Sequence, residues 1–114
     1  MAAYRVDALL NRFFVEPLAG LGYPAKDLKL LNRLEPFIKD GNESKLAFNM
    51  DFIGVQSYTR EIIAHSHFTP LIHAKLIGAK KRRVETTEMG WEVYPESIYH
   101  MLHKFSKYKQ FKEI

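Results

Sequence analysis

The chain has 114 residues, 46% hydrophobic and 13% aromatic, enough apolar material for one compact domain and too little for two. A charged fraction of 26%, no low-complexity tract and no run near the ~18 apolar residues of a membrane span exclude a disordered chain and a transmembrane protein. With no cysteine, disulfide and thiolate chemistry are excluded, and much of the formal charge of +4 is local to the block Lys80-Lys81-Arg82-Arg83.

From Tyr4 to Leu18, apolar residues at Val6, Leu9, Leu10, Phe13, Phe14 and Leu18 recur at i, i+3, i+4 and i+7, which predicts an amphipathic helix whose last turn is weakened by Pro17. The Gly- and Pro-bearing segment 19–24 is a loop, and Leu28, Leu31 and Leu34 predict a shorter helix over 25–34 that Pro36 ends. Asp40-Gly41-Asn42 reads as a turn in which Asn42 caps a short helix through Phe48. Phe52-Ile53-Gly54-Val55 is nearly continuous in apolar residues, as in a parallel-type strand buried on both faces, and Gly54 inside it suggests a close approach of backbone or ligand. Residues 61–68 and 74–80 are expected to be two extended pieces around Thr69-Pro70. Tyr94-Pro95-Glu96 opens a last helix with proline in its first turn and a stripe of Ile98, Met101, Leu102 and Phe105, ending near Tyr108. The N-terminus, Met1 to Val6, lacks the basic segment, apolar core and cleavage site of a secretory signal, so a cytoplasmic location is expected.

Chemistry-bearing residues are few. The block at 80–83 has the charge to neutralise phosphates, but no aromatic residue is interleaved with it, and nucleic-acid binding is the weakest of the functional readings. His65 and His67 share a face of an extended strand, and His100 and His103 a helical face, yet neither pair brings a third ligand at a recognisable spacing, so no metal and no cofactor are expected. Asp51 opens the predicted strand; Glu85, Glu88, Glu92 and Glu96 cluster before the last helix, where Glu96 favours the helix dipole and the others read as solvated or capping groups.

Two segments, Asp51-Phe52-Ile53-Gly54-Val55-Gln56-Ser57-Tyr58-Thr59 and Met89-Gly90-Trp91-Glu92-Val93-Tyr94-Pro95-Glu96, carry a family resemblance. Together with Arg12-Phe13-Phe14-Val15-Glu16-Pro17-Leu18 and Gly22-Tyr23-Pro24 upstream, they resemble glycoside hydrolase family 1, the β-glucosidase family, whose sixth barrel strand reads D-F-[IL]-G-[IV]-N-Y-Y-[ST] and whose following loop reads M-G-W-E-[IV]-Y-P-E. The resemblance implies an α/β fold: a partial (β/α)8 barrel fragment over residues 1–114, mostly helical, with one buried barrel strand and a small hairpin. It further implies that Tyr58 is the tyrosine that orients the nucleophilic carboxylate, and that Trp91 is the apolar wall for the substrate. Gln56 then holds the place of a substrate-binding asparagine, with the amide one methylene further out, and Ser57 stands where most members have a first tyrosine.

Retaining glycosidases use two carboxyl groups about 5 Å apart. The family's T-x-N-E-P and T-E-N-G motifs that supply them are absent from this sequence and are expected upstream of residue 1 and just beyond Ile114. The functional expectation is therefore a segment of a β-glycoside hydrolase, with β-glucosides or oligosaccharides as the family's substrates and no turnover by this chain alone. The alternative is a non-catalytic module that oligomerises, or complements another fragment, through unpaired strand edges.

Overall fold

The computed structural model describes residues 1–114, which fall into two units, Met1–Asn49 with Ile63–Lys75, and Met50–Ile62 with Leu76–Ile114. No helix is long and apolar enough to cross a membrane.

In the first unit the N-terminal helix runs unbroken in three pieces: α1 (Ala2–Asp7), a wide π turn (Ala8–Arg12) and α2 (Phe13–Leu18). Pro17 lies within the last turn and is buried; near the end of a helix its missing N–H costs only one bond, and the Ala19 N–H still reaches the Val15 carbonyl at 3.0 Å. The core forms where this helix meets residues 25–34. Ala8 is fully buried, and its small side chain lets Leu28 and Leu31 pack closely, with Leu9, Phe13, Leu30 and Leu34 around them. Full burial of a leucine such as Leu28 contributes roughly 2 kcal/mol. Arg12 ties the same contact at its rim, pairing with Glu16 at 2.6 Å and with Asp27.

The helix expected over 25–34 differs. A turn closed by the Asp27 and Leu28 N–H groups on the Pro24 carbonyl comes first, and a 3-10 helix then spans Lys29–Phe37, running through Pro36 rather than stopping at it. The tighter 3-10 turn eclipses side chains at i and i+3, which brings Leu28, Leu31 and Leu34 into one row; tertiary packing has chosen the turn that lines up these three leucines. α3 (Asn42–Leu46) also departs from expectation: Asn42 is its first helical residue and makes no capping bond, while Gly41 at φ +78 occupies the cap position. The helix stops at Leu46, two residues short of Phe48.

The two extended pieces around Thr69-Pro70 pair as expected, as β1 (Ile63–His65) and β2 (Ala74–Leu76). Bonds from Ser66 to His73 and from Ile77 to Ile62 make the pairing antiparallel. The second piece is shorter than 74–80, because Ala79–Arg82 turn into a single helical turn, α4.

The buried strand at Phe52–Val55 does not form. Phe52 makes one isolated parallel bridge to Glu113 and is 70% exposed, and a side chain at Gly54 would meet nothing within 4 Å. The physical reason is the one that makes parallel strands cooperative: such a strand is buried only with hydrogen-bonded neighbours on both flanks and helices on both faces, and here Glu113 is the sole rung. The segment remains extended, as alternation shows: Ile53, Val55 and Ser57 are half-buried while Phe52, Gly54, Gln56 and Tyr58 face out. The last helix, α5 (Ser97–Phe105), starts after Pro95 and ends before Tyr108; Phe105 and Phe111 are buried, with the Tyr108 ring between them at 5.9 and 6.1 Å. Helical turns of all kinds occupy fewer than half of the residues, so the chain is less helical than expected.

Candidate functional site

Three residues singled out in the sequence, Gln56, Tyr58 and Trp91, meet in the second unit. The extended backbone puts residues 56 and 58 on the same face, two apart, and the Tyr58 hydroxyl donates to Gln56 Oε1 at 3.0 Å. The Tyr58 and Trp91 rings lie 5.8 Å apart at 45°. Trp91 reaches this place through a tight turn. The Gly90 N–H closes onto the Thr87 carbonyl at 2.9 Å, and the Trp91 carbonyl accepts from the Thr87 N–H at 2.8 Å. Gly90 sits at φ +78, a left-handed conformation that residues with a side chain adopt at a cost, so its use here is in the turn.

One residue that sequence reasoning placed among solvated or capping groups is the most heavily bonded of the unit. Glu92 is only 3% exposed and accepts from both Nε and Nη2 of Arg60, at 3.0 and 2.8 Å, and from Nη2 of Arg82 at 2.6 Å. Hydrogen bonds from Arg82 and Arg60 hold its carboxyl down to about 2, against the opposing effect of burial. A carboxylate so held cannot deliver a proton near neutrality, and two guanidiniums occupy its oxygens, so Glu92 is neither acid nor nucleophile. The signal in the sequence was weak: a glutamate between Trp91 and Val93 implies burial only if two arginines more than nine residues away are known to reach it.

The remaining carboxylates offer no substitute. Glu85, Glu88 and Glu96 are exposed, Glu96 makes no side-chain capping bond, and Asp51 is exposed beside Lys112 at 3.3 Å. The basic block is not a free stripe of four charges either, since Arg82 belongs to the Glu92 cluster. Among the histidines, His65 meets His67 with ring centres 4.5 Å apart and stacks on His73 at 6.2 Å, while His100 stacks on Tyr94 at 6.1 Å and His103 on Tyr99 at 6.3 Å. A groove of about 420 Å³ in the first unit is lined by Phe13, Tyr23, Leu34, Phe37 and Glu43 among others, none of them a residue the sequence nominated as a site.

An amide, a phenol and an indole on one open wall form a surface that presents hydrogen-bond donors and acceptors beside an aromatic face, suited to a polyhydroxylated ring with an apolar side. Comparison with known proteins gives the chain's relatives. The sequence matches Glycosyl hydrolase family 1 over residues 1–114. It is 30% identical to a 6-phospho-beta-galactosidase of Lacticaseibacillus rhamnosus, over 89% of this chain and 27% of that protein, and 28% identical to beta-glucosidase A of Acetivibrio thermocellus, over 83% and 21%. Among solved structures, the AHE enzyme of Alicyclobacillus herbarius superposes with a TM-score of 0.80 at 33% identity, covering 93% of this chain and 23% of that one. A beta-glucosidase of Exiguobacterium marinum shares the fold, with a TM-score of 0.78 at 22% identity over 94% and 24%. The chain thus spans about a quarter of the length of the proteins it matches.

Proposed function

Since the chain belongs to glycosyl hydrolase family 1, whose parent fold is a (β/α)8 barrel, we propose that it forms the sugar-facing wall of a retaining β-glycosidase and does no hydrolysis by itself. The observation that carries this reading is the meeting of Tyr58, Gln56 and Trp91 on one open surface. Tyr58 orients the nucleophilic carboxylate, Gln56 offers its amide to a ring hydroxyl, and the Trp91 indole packs on the apolar face of the sugar or its aglycone. The two carboxyl groups that such an enzyme uses to break the glycosidic bond, forming a glycosyl-enzyme intermediate that water then hydrolyses, are absent from this sequence, and a binding wall cannot replace them. Substrates are β-glucosides or related β-linked sugars, in line with what the relatives' names state.

The test uses the chain as purified and a chromogenic aryl β-glucoside. We expect no turnover, but a saturable change in the emission of Trp91, the single tryptophan, as the glucoside is added. Tyr58→Phe removes one hydroxyl bond, about 1 kcal/mol, and weakens that binding roughly five-fold. Turnover that Tyr58→Phe abolishes overturns the claim of inactivity, and an emission indifferent to the glucoside overturns the sugar-wall reading.

A second reading, assembly through the open edge of residues 50–62, is favoured by one observation: this extended segment has a single bridged rung and an outward Phe52. Its occupant is a second copy of this chain or a complementary barrel fragment.

A further inference from the structure

Tyr58 and Trp91 are thirty-three residues apart in the chain, and neither holds the other by a hydrogen bond. What joins them lies one or two residues further along each segment. Thr59 Oγ1 donates to the Glu92 carbonyl at 3.2 Å, and Arg60 forms its two-pronged pair with the Glu92 carboxylate. The Arg60 guanidinium also lies 3.7 Å from the centre of the Tyr94 ring, so the same side chain grips the loop at two alternate residues. Arg82 Nη2 donates to Glu92 Oε2, the oxygen that also accepts from Arg60 Nε, while Arg82 Nε donates to the Ile77 carbonyl at 3.2 Å, which anchors the cluster to the segment just before α4.

From these contacts we infer that the cluster of Arg60 and Arg82 around the buried Glu92 is a positioning device: it holds the Trp91 loop against the Tyr58 segment and so fixes the spacing of the two aromatic faces that would meet a sugar. The inference rests on the sugar-wall reading for its consequence, but the positioning itself is a property of the free chain. The geometry favours this over simple stabilisation. The cluster sits at the ends of the two site segments, Arg60 meets the carboxylate as a planar two-pronged fork that fixes direction as well as distance, and Arg82 adds a single bond to Oε2, the oxygen that Arg60 Nε also uses. Replacing the carboxylate by a neutral amide leaves the charges of Arg60 and Arg82 uncompensated at one site and gives them one acceptor oxygen in place of two, so the loop is pushed off as well as released.

The experiment compares the unaltered chain with Glu92→Gln, reading Trp91 emission, its collisional quenching by acrylamide, and the proton–proton contact between the Trp91 indole and the Tyr58 ring by NMR, without ligand. Far-ultraviolet circular dichroism selects conditions where each variant is folded. Glu92→Gln is expected to shift Trp91 emission to the red, increase its quenching and erase the Trp91–Tyr58 contact, with Glu92→Asp restoring part of each. If Glu92→Gln does not fold, Arg82→Gln, which keeps the Arg60 pair, is expected to change the same signals in the same direction by less. Folded Glu92→Gln or Arg82→Gln with Trp91 emission, quenching and ring contact unchanged overturns the inference. Addition of the aryl β-glucoside separates the two ideas: an unaltered chain that ignores the glucoside sinks the sugar wall and leaves the positioning result standing.

Discussion

Glu92 shows how far a single residue can differ from its sequence context. Its carboxyl, ordinarily near 4.5, is held at about 2 by the Arg82 and Arg60 hydrogen bonds. A carboxyl group depressed in the folded state stabilises it fully above its ordinary value and progressively less as acid protonates it. The Trp91 environment should therefore be constant from neutrality to about pH 5 and change between about pH 4.5 and 2, a window that an acid titration of Trp91 emission reads directly; Glu92→Gln should abolish the transition. Tyr58 and Trp91 could be nominated from the sequence because their neighbours carry family motifs. Glu92 lay within the same motif but carried no mark of burial, since a glutamate's environment is decided by which arginines the fold brings to it.

The hairpin β1–β2 is the element best foreseen and the one with the most strain. Leu71 and His73 take left-handed φ values of +76 and +48 in its connection. Thr69 holds that connection, its Oγ1 accepting from the Ala74 N–H at 3.0 Å and lying 2.8 Å from the Ala74 carbonyl, and Arg5 from α1 donates to the carbonyls of Ile72 and His73. His65 lies among like charges: burial first, then His67, Arg5, His73 and the amino terminus lower its pKa from 6.5. A histidine lowered in the folded state favours folding while neutral, so this contribution is present above about pH 6.5 and declines below it. The expected outcome is an increase in amide exchange of Ile63–His65 and Ala74–Leu76 as pH falls from 7.5 to 5.5, reduced in His65→Asn. An exchange pattern with the same pH response in His65→Asn would sink this account. By contrast, the helix over 25–34 was misjudged because periodicity marks a row of leucines without saying whether an α or a 3-10 turn aligns them.

At the scale of the whole molecule the buried apolar set is small: seven hydrophobic residues, three of them alanine. A compact monomer of 13.3 kDa exposes roughly 6,400 Å², and even two separate bodies sharing that mass roughly 7,800 Å². This chain exposes 8885 Å², with Phe37, Phe52, Met89 and Tyr99 largely uncovered. Large uncovered apolar side chains mark surfaces that meet other protein. The assembly reading accordingly expects strong fluorescence of an apolar dye such as ANS and a sedimentation mass that rises with concentration, both reduced by Phe52→Ser. A dye-silent monomer at all concentrations counts against it.

The amino-acid sequence by itself determined the family, the N-terminal and C-terminal helices and the hairpin, because these depend on local periodicity, turn chemistry and motifs that survive within a few residues of chain. Tertiary structure alone decided that Phe52–Val55 is an open extended segment and not a buried strand, and that Glu92 is the centre of an ion cluster. Both outcomes depend on what lies across space from a residue: a strand needs neighbours on each flank, and a buried charge needs partners that the fold must bring from elsewhere.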